Sequence, residues 1–272
     1  MRLSQLGEFG LLDELARRGL AEGIEHDAAE VGGLVVTQDS LVEDVHFRLD
    51  RISFRELGYR AGAVNVSDLA ACGAEPQALL VSLAAPPDTR VADVLELYEG
   101  LAELRVPVVG GDTTRADRLF LTVTALGPSE RVPGRGGARA GDLLVVTGPL
   151  GAAGAAFRDG GRYLRPPLRV AEGKRLARVA SAMLDVSDGL AQDAGHIARR
   201  SGVRCVIELE HVPLGGELRD LGFGEDFELL AATPDPLAFP VIGRCEHGEG
   251  VDLRLHGEPY ELGGWDHFAP VS

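Results

Sequence analysis

A stretch rich in glycine, proline and arginine lies near the middle of the sequence. Residues 127–142 read GPSERVPGRGGARAGD, a composition that interrupts regular structure and is typical of a boundary between structural units. On both sides of it, short apolar runs alternate with segments of helical periodicity. The pattern predicts an α+β fold of two α/β halves of similar size, which we place at residues 1–128 and 138–272.

Apolar periodicity also predicts individual elements in both halves. Ser53 and Glu56 have the spacing of a capping box, which favours the start of a helix. Gly202 is expected to end the last helix. The predicted helices cover residues 6–18, 53–64, 89–104, 167–183 and 190–200, and the predicted strands cover residues 33–37, 77–83, 106–109, 119–126, 143–147, 203–209, 227–232 and 240–242.

The charge of the chain limits the kinds of partner it can bind. The formal net charge is −15 and the sequence pI is about 4.9, which argues against nucleic acid or an anionic membrane as the main partner. An anionic substrate is compatible with this charge if metal cations mediate the contact. The three cysteines are widely spaced without a CxxC motif, and no apolar run is long enough to span a bilayer. The sequence therefore predicts a soluble cytoplasmic protein.

Aspartates recur where apolar stretches end. They are Asp39 after LVVTQ, Asp68 after AVNVS, Asp112 after VPVVGG, Asp185 and Asp188 in AMLDVSDGL, and Asp27 in GIEHDAAEV. Taken singly, Asp68 or Asp188 is best explained as a helix N-cap. Taken together, carboxylates that converge from strand ends would repel one another unless a cation neutralised them. Short aspartate side chains suit Mg²⁺, so the pattern predicts a magnesium site.

The glycines at Gly110 and Gly111 leave two interpretations open. Backbone N–H groups there could approach phosphate oxygens, or the residues could form an ordinary tight turn. Other nucleotide motifs are absent, because the sequence contains no GxxxxGK[ST] and no protein-kinase signature. The spacing of the glycines in residues 148–154 is also wrong for a dinucleotide-binding turn.

Seven stretches together resemble the thiamine-monophosphate kinases, within the aminoimidazole-ribonucleotide-synthetase-like superfamily. In order they are DSLVEDVHF, AVNVSDLAACGAEP, VVGGDTT, RGGARAGD, DVSDGLAQDAGHI, GEDFELL and GGWDHF, and they extend over nearly the whole chain. AVNVSDLAACGA alone indicates only the superfamily. The combination of DSLVEDVHF, DVSDGLAQDAGHI and GEDFELL is specific to the thiamine-phosphate branch.

The resemblance implies both a fold and a reaction. The strands of the N-terminal half would pair with those of a second subunit in a homodimer to form a β-barrel, and the C-terminal half would pack against it. A nucleotide would lie in the cleft between the halves. The implied reaction is the ATP-dependent conversion of thiamine monophosphate to thiamine diphosphate, with Mg²⁺ as the metal.

The resemblance also assigns residues to roles by position. Asp27, Thr37, Gln38, Asp39, Asp68, Asp112, Asp185 and Asp188 fall on metal sites, Gly111, Asp112, Arg135 and Ser187 on nucleotide contacts, and His46, Glu225 and Trp265 on contacts to thiamine phosphate. Asp112 and Arg135 are the candidate catalytic residues, with Arg135 as a charge clamp over the phosphates. From the residues alone, Arg135 could equally be a solvated linker arginine. Trp265 could stack on a thiazolium cation or anchor the core.

Three residues in two segments depart from the family pattern. Glu25, His26 and Asp27 stand where the family has Gly-Asp-Asp, and Gln38 stands where threonine is usual. Because imidazole is a poor Mg²⁺ ligand, His26 is expected to point away from the metals. Two alternatives to the kinase stay open: another ATP-dependent synthetase or dehydratase of the superfamily, and a non-catalytic nucleotide-binding relative.

Overall fold

The computed structural model describes residues 3–21 and 26–265, which are built around two β-sheets. The helices in these ranges are α1 (Leu3–Arg17), α2 (Phe54–Ala71), α3 (Val91–Ala102), α4 (Ala152–Gly160), α5 (Val170–Ala177) and α6 (Leu190–Ser201). The strands are β1 (Ala29–Val31), β2 (Leu34–Val42), β3 (Ala78–Ala85), β4 (Val108–Arg115), β5 (Phe120–Gly127), β6 (Leu143–Val146), β7 (Ala182–Asp185), β8 (Arg204–Glu208), β9 (Leu229–Thr233), β10 (Val241–Glu246), β11 (Gly250–Leu255) and β12 (Glu258–Pro259). No helix in the described part combines the length and apolar character needed to span a bilayer.

The first sheet has the strand order β1-β2-β5-β3-β4 and belongs to the N-terminal half. Its neighbouring strands are antiparallel except for β3 and β4, which are parallel. Helix α2 packs on one face, where Leu79, Val81 and Leu83 of β3 are buried, and α3 packs on α2. The opposite face is partly exposed at alternate positions, such as Leu80. Within the described residues this sheet is open, with β1 and β4 as its edges.

The second sheet has the order β12-β11-β8-β10-β6-β9-β7 and belongs to the C-terminal half. Its strands pair in antiparallel fashion except for β8 and β11. Its core includes Leu144, Leu184 and Ile197, the last from α6. A third apolar cluster joins the two halves, because Ala70 at the end of α2 packs with Leu176 of α5. The last turns of α2 therefore lie against the second sheet.

The structure confirms most of the predicted elements and corrects several. The prediction of a helix over residues 167–183 was wrong beyond Ala177, since residues 182–185 form β7, a fully buried strand. Such a strand has no polar–apolar alternation to distinguish it from a buried helix. The structure also contains β1, β11 and β12, which the periodicity did not predict. Strands β2 and β4 extend to Val42 and Arg115, well past the predicted ends.

Helix α2 continues to Ala71, well past the predicted end at residue 64. Ser53 does cap it, accepting a hydrogen bond from the backbone N–H of Glu56 at 3.2 Å. Asp68 consequently lies in the last turns of this helix, and neither a strand end nor an N-cap describes it. Nearly every side chain from Leu57 to Ala71 is buried, so the helix lacks the polar face that would have marked its length.

Candidate active site

A cavity of about 620 Å³ brings together residues from both halves of the chain. Twelve of the fourteen predicted site residues line it: Asp27, Thr37, Gln38, Asp39, His46, Asp68, Arg135, Asp185, Ser187, Asp188, Glu225 and Trp265. These residues come from segments that are far apart in the sequence. The two that do not line the cavity, Gly111 and Asp112, lie together on β4.

Three carboxylates form the acidic cluster of the cavity. Oxygen atoms of Asp27, Asp68 and Asp185 all lie within 4.8 Å of one another. Asp185 is the last residue of β7, Asp68 projects from α2, and Asp27 lies just before β1. The hydroxyl of Thr37 on β2 donates to Asp68, and the hydroxyl of Ser67 donates to Asp185. Of the six aspartates expected to converge, these three form the cluster, Asp39 and Asp188 line the same cavity, and Asp112 does not.

The crowding of these carboxylates changes their pKa values. Burial, together with the charges of Asp39, Asp185 and Asp27, raises the pKa of Asp68 well above its usual value. Burial and the charge of Asp27 raise the pKa of Asp185 to about 7. Near neutral pH, the ionised cluster is therefore destabilised unless a cation accompanies it. The atoms of the cluster that could bind a metal are all oxygens on short side chains, a ligand set that fits Mg²⁺.

Arg135 is a cation that contacts this cluster directly. Its Nε donates to Asp27 Oδ1 at 2.9 Å, and its Nη2 donates to the same oxygen. Burial opposes the charged form of this guanidinium, but the ion pair with Asp27 leaves the pKa of Arg135 above its usual value. Both side chains are largely buried, which argues against a solvated linker arginine.

His26 also lines the cavity but is not one of the three carboxylates of the acidic cluster. Its Nδ1 accepts a hydrogen bond from the backbone N–H of Arg135 at 3.2 Å. The sequence contained no signal for this contact, because the two residues are 109 positions apart. Glu25 lies outside the described residues.

A second group of possible ligands borders the same cavity. Ligand atoms of Asp188, Asp193 and His196 lie within 4.8 Å of one another. Asp193 also accepts a hydrogen bond from the backbone N–H of Asp188 at 3.1 Å. Burial and the nearby Arg135 lower the pKa of His196 to about 3, so its imidazole is neutral. Sequence reasoning missed Asp193 and His196, although their spacing on α6 places them on one side of the helix.

The rings of Tyr163 and Phe227 form an aromatic wall in another part of the cavity, around Arg60 and Glu225. The buried Arg60 of α2 forms an ion pair with Glu225, and its guanidinium lies 5.5 Å from the ring centroid of Tyr163 and 5.6 Å from that of Phe227. Its Nε is buried without a hydrogen-bond partner among the described residues. Glu225 itself has a φ of 59°, a strained conformation for a non-glycine residue. Arg60 was not predicted, although an arginine within the otherwise uncharged residues 57–64 of α2 was a usable signal.

Trp265 and His46 lie at the rim of the cavity. The backbone N–H of Trp265 donates to the carbonyl oxygen of Asp188 at 3.0 Å, and its side chain is 48% exposed. This exposure argues against the core-anchor interpretation. His46 accepts a hydrogen bond from the backbone N–H of Val42 at 3.0 Å, which fixes its ring at the end of β2.

Gln38, Gly111 and Asp112 add no side-chain ligand to the acidic cluster. Gln38 borders the cavity, but its amide oxygen accepts from Thr124 on the opposite face of β2 from Thr37. Asp112 is exposed on the edge strand β4. A Cβ atom on Gly111 would lie 1.8 Å from the carbonyl oxygen of Val81, so this glycine is required by strand packing. The roles assigned to all fourteen predicted site residues stay predictions.

Comparison with known proteins assigns the chain to a family. The family model described as AIR synthase related protein, N-terminal domain, matches residues 25–128. A thiamine-monophosphate kinase from Aquifex aeolicus is 36% identical over an alignment of 309 residues, which covers 98% of this chain and 100% of the relative. The chain belongs to the thiamine-monophosphate kinase family. A thiamine-monophosphate kinase from Mycobacterium tuberculosis is also 36% identical and covers 98% and 93% of the two chains.

Solved structures of this family have the same fold. AaThiL complexed with AMPPCP and TMP superposes with a TM-score of 0.89 at 35% identity, covering 98% of this chain and 99% of that chain. The hydrogenase maturation protein HypE gives a TM-score of 0.69 at 20% identity, which shows a common fold only. The resemblance stated from the sequence motifs is thereby confirmed at the level of the family.

Proposed function

We propose that this protein transfers the terminal phosphoryl group of ATP to thiamine monophosphate, giving thiamine diphosphate and ADP. The observation that carries the proposal is the cavity, in which an acidic cluster and an aromatic wall face one space. Thiamine-monophosphate kinases that align with nearly the whole chain support the choice of reaction. A related structure is described as a complex with AMPPCP and TMP, an ATP analogue and the phosphate acceptor.

The acidic cluster serves as the metal-binding part of the proposed site. Asp27, Asp68 and Asp185 would hold Mg²⁺, with Asp39 and Asp188 on the same cavity wall. Bound there, Mg²⁺ would neutralise charge on the phosphates and allow two polyanions to approach each other. Arg135 adds a fixed positive charge whose planar guanidinium suits phosphate oxygens. Ser187 lies on the cavity wall beside Asp188 and contributes to the nucleotide side.

The proposed acceptor needs no general base from the protein. The attacking group is a phosphate-monoester oxygen, and the second pKa of such a group is about 6, so it is ionised near pH 7. The protein must instead hold the acceptor in line and exclude water. The aromatic rings beside the Arg60–Glu225 ion pair offer flat faces, which suit the cationic thiazolium ring of thiamine. His46 and Trp265 border the same space at its rim.

Assembly into a homodimer is part of the proposal. The outer face of the first sheet carries Leu80 beside Thr124, and the edge strand β4 exposes Val109. A second copy of the chain would cover this face and pair with the open edge, completing the expected barrel. Asp112 lies outside the cavity of a single chain and would join a site only through such pairing.

Identification of the products tests the proposed reaction. Phosphorus NMR of a mixture of protein, MgATP and thiamine monophosphate should show ADP and thiamine diphosphate in equal amounts. An ATP-dependent synthetase or dehydratase would release inorganic phosphate or pyrophosphate, and a non-catalytic relative would leave ATP intact. The variant Asp68→Asn, purified in the same way, controls for contaminating kinases. Inorganic phosphate without thiamine diphosphate would contradict the proposal.

A further inference from the structure

The loop that carries Arg135 is held at two points by adjacent residues of the N-terminal segment. The side chain of Arg135 donates to Asp27, and its backbone N–H donates to Nδ1 of His26. This loop connects β5 of the first sheet to β6 of the second sheet. One short segment thus fixes both the main chain and the side chain of the same arginine.

The imidazole of His26 also packs directly against the loop at Gly134. Gly134 has a φ of +70°, and a Cβ atom there would lie 2.6 Å from Cε1 of His26. A residue with a side chain would be strained at this φ and would push the imidazole away. The ring of His26 therefore contacts the loop by packing as well as by its hydrogen bond.

The two points of attachment respond differently when a divalent cation binds. The carboxylate of Asp27 belongs to the acidic cluster, so cation binding there competes with its ion pair to Arg135. The Nδ1 atom of His26 already accepts an N–H group, and Mg²⁺ prefers oxygen ligands. The contact between His26 and the loop can therefore persist while the guanidinium of Arg135 is released from Asp27.

We propose that His26 is a positioning residue that holds the main chain at Arg135. The guanidinium released from Asp27 then stays within reach of an ATP phosphate, and little conformational entropy is lost when it binds there. The inference rests on the proposed function for the identity of the nucleotide. The attachment of the loop to His26 does not depend on that function.

Three substitutions of His26 separate this role from a merely structural one. Asparagine places its Oδ1 close to the position of histidine Nδ1, whereas the glutamine oxygen lies farther from the backbone and alanine has no acceptor. Exchange of the Arg135 amide hydrogen in the ligand-free protein, measured by NMR with ¹⁵N-arginine, reports the hydrogen bond. We expect about three- to tenfold faster exchange in His26→Ala and His26→Gln, and a rate within about twofold of wild type in His26→Asn.

Binding measurements then test the link to the nucleotide. The affinity for a non-hydrolysable ATP analogue with Mg²⁺, measured by calorimetry, should fall about three- to tenfold in His26→Ala and be restored in His26→Asn. The affinity for Mg²⁺ without nucleotide should stay unchanged in all three variants. His247→Ala removes an exposed histidine in the turn between β10 and β11 and serves as the matched control.

Three results would overturn the inference. They are unchanged amide exchange in His26→Ala, faster exchange with unchanged affinity for the analogue, and altered Mg²⁺ affinity in the absence of nucleotide, which would make His26 a metal ligand. If the wild-type protein failed to bind the analogue, the proposed function and the nucleotide part of the inference would both fail. The amide exchange would still decide whether His26 holds the loop.

Discussion

At the scale of single residues, the carboxylates of the acidic cluster that are proposed to bind the metal destabilise the metal-free protein. Asp68 is partly buried beside Asp27 and Asp185, and its ionised form is unfavourable without a cation. Each unit by which folding raises the pKa of such a carboxyl corresponds to about 1.4 kcal/mol of free energy that disfavours its ionised form. A carboxyl whose pKa is raised by folding stabilises the folded state at low pH. This contribution to stability is lost as the pH rises through the folded-state pKa.

Substitution of Asp68 by asparagine should therefore separate the two properties. Asp68→Asn keeps the shape of the side chain and an acceptor for Thr37 but removes one charge. The free energy of unfolding of this variant, measured by thermal unfolding at pH 8 in EDTA, should therefore exceed that of wild type by about 1 kcal/mol or more. Turnover should be abolished. Asp50→Asn, at an exposed position, is the control. A metal-free Asp68→Asn protein that is less stable than wild type would refute the described crowding.

Asp112 provides a contrasting case at the same scale. Because Asp112 is exposed, Asp112→Asn should change the free energy of unfolding by about 0.5 kcal/mol or less. We nevertheless expect turnover to be abolished, since the change removes a predicted metal ligand. Steady-state kinetics and thermal unfolding of Asp112→Asn and of the exposed control Asp117→Asn provide the comparison. Near-normal kcat in Asp112→Asn would remove this residue from the proposed site.

The side chains of the cavity differ in how far the sequence could predict them. The aspartates were recognisable because they recur after apolar stretches. The contacts of His26 with Arg135 and of Arg60 with Glu225 were not, because each pair is distant in sequence and depends on how the two halves pack. The position of Asp112 away from the cavity was equally hidden, since β4 forms the sheet edge.

At the scale of elements, the helix pair α2–α3 holds the first half together. The two helices approach closely at glycines: a Cβ on Gly58 would lie 1.9 Å from the carbonyl oxygen of Leu97, and a Cβ on Gly100 would lie 1.9 Å from that of Arg55. The clashing atoms belong to backbone and cannot move aside by a rotamer change. This contact supports α2, whose last turns carry Asp68 to the cavity.

A methyl group at this contact should be costly. Gly100→Ala is expected to destabilise the protein by about 1–3 kcal/mol or more, because the helices must separate to accommodate it. Urea unfolding measures the effect. Gly202→Ala is not a suitable control because of its positive φ, whereas Gly195→Ala on α6 has only an ordinary contact at 3.8 Å. Equal stability of Gly100→Ala and Gly195→Ala would contradict the close packing.

The elements themselves were predictable where periodicity is strong. Helix α3 and strands β3 and β5 lie close to their predicted bounds, since each has one buried and one exposed side. Strand β7 and the second half of α2 are buried on almost all sides, so their sequences carry no such alternation. The division into domains at residues 1–128 and 138–272 stays a prediction.

At the scale of the whole molecule, the outer face of the first sheet is the surface that an assembly would bury. On this face Leu80 is the cross-strand neighbour of Thr124, whose hydroxyl donates a hydrogen bond to the side chain of Gln38. Light scattering at micromolar concentration should give about twice the chain mass of 28.8 kDa, as expected for a closed two-fold dimer.

Substitution on this face should separate the copies. Leu80→Glu places a charge on the proposed interface, so it should give a mass near 28.8 kDa while the chain stays folded. Leu95→Glu changes another exposed leucine, on α3, and should leave the mass of the assembly unchanged. A wild-type monomer, or dissociation by both variants alike, would contradict pairing through this sheet.

The choice of acceptor distinguishes the proposed reaction from its alternatives. The acidic cluster requires an acceptor whose phosphate shares its metals, so ADP formation in a coupled assay should be rapid with thiamine monophosphate. With unphosphorylated thiamine, or without an acceptor, it should be close to background, and EDTA should abolish it. Equal rates with thiamine monophosphate and thiamine, or no ADP formation with either, would contradict the account.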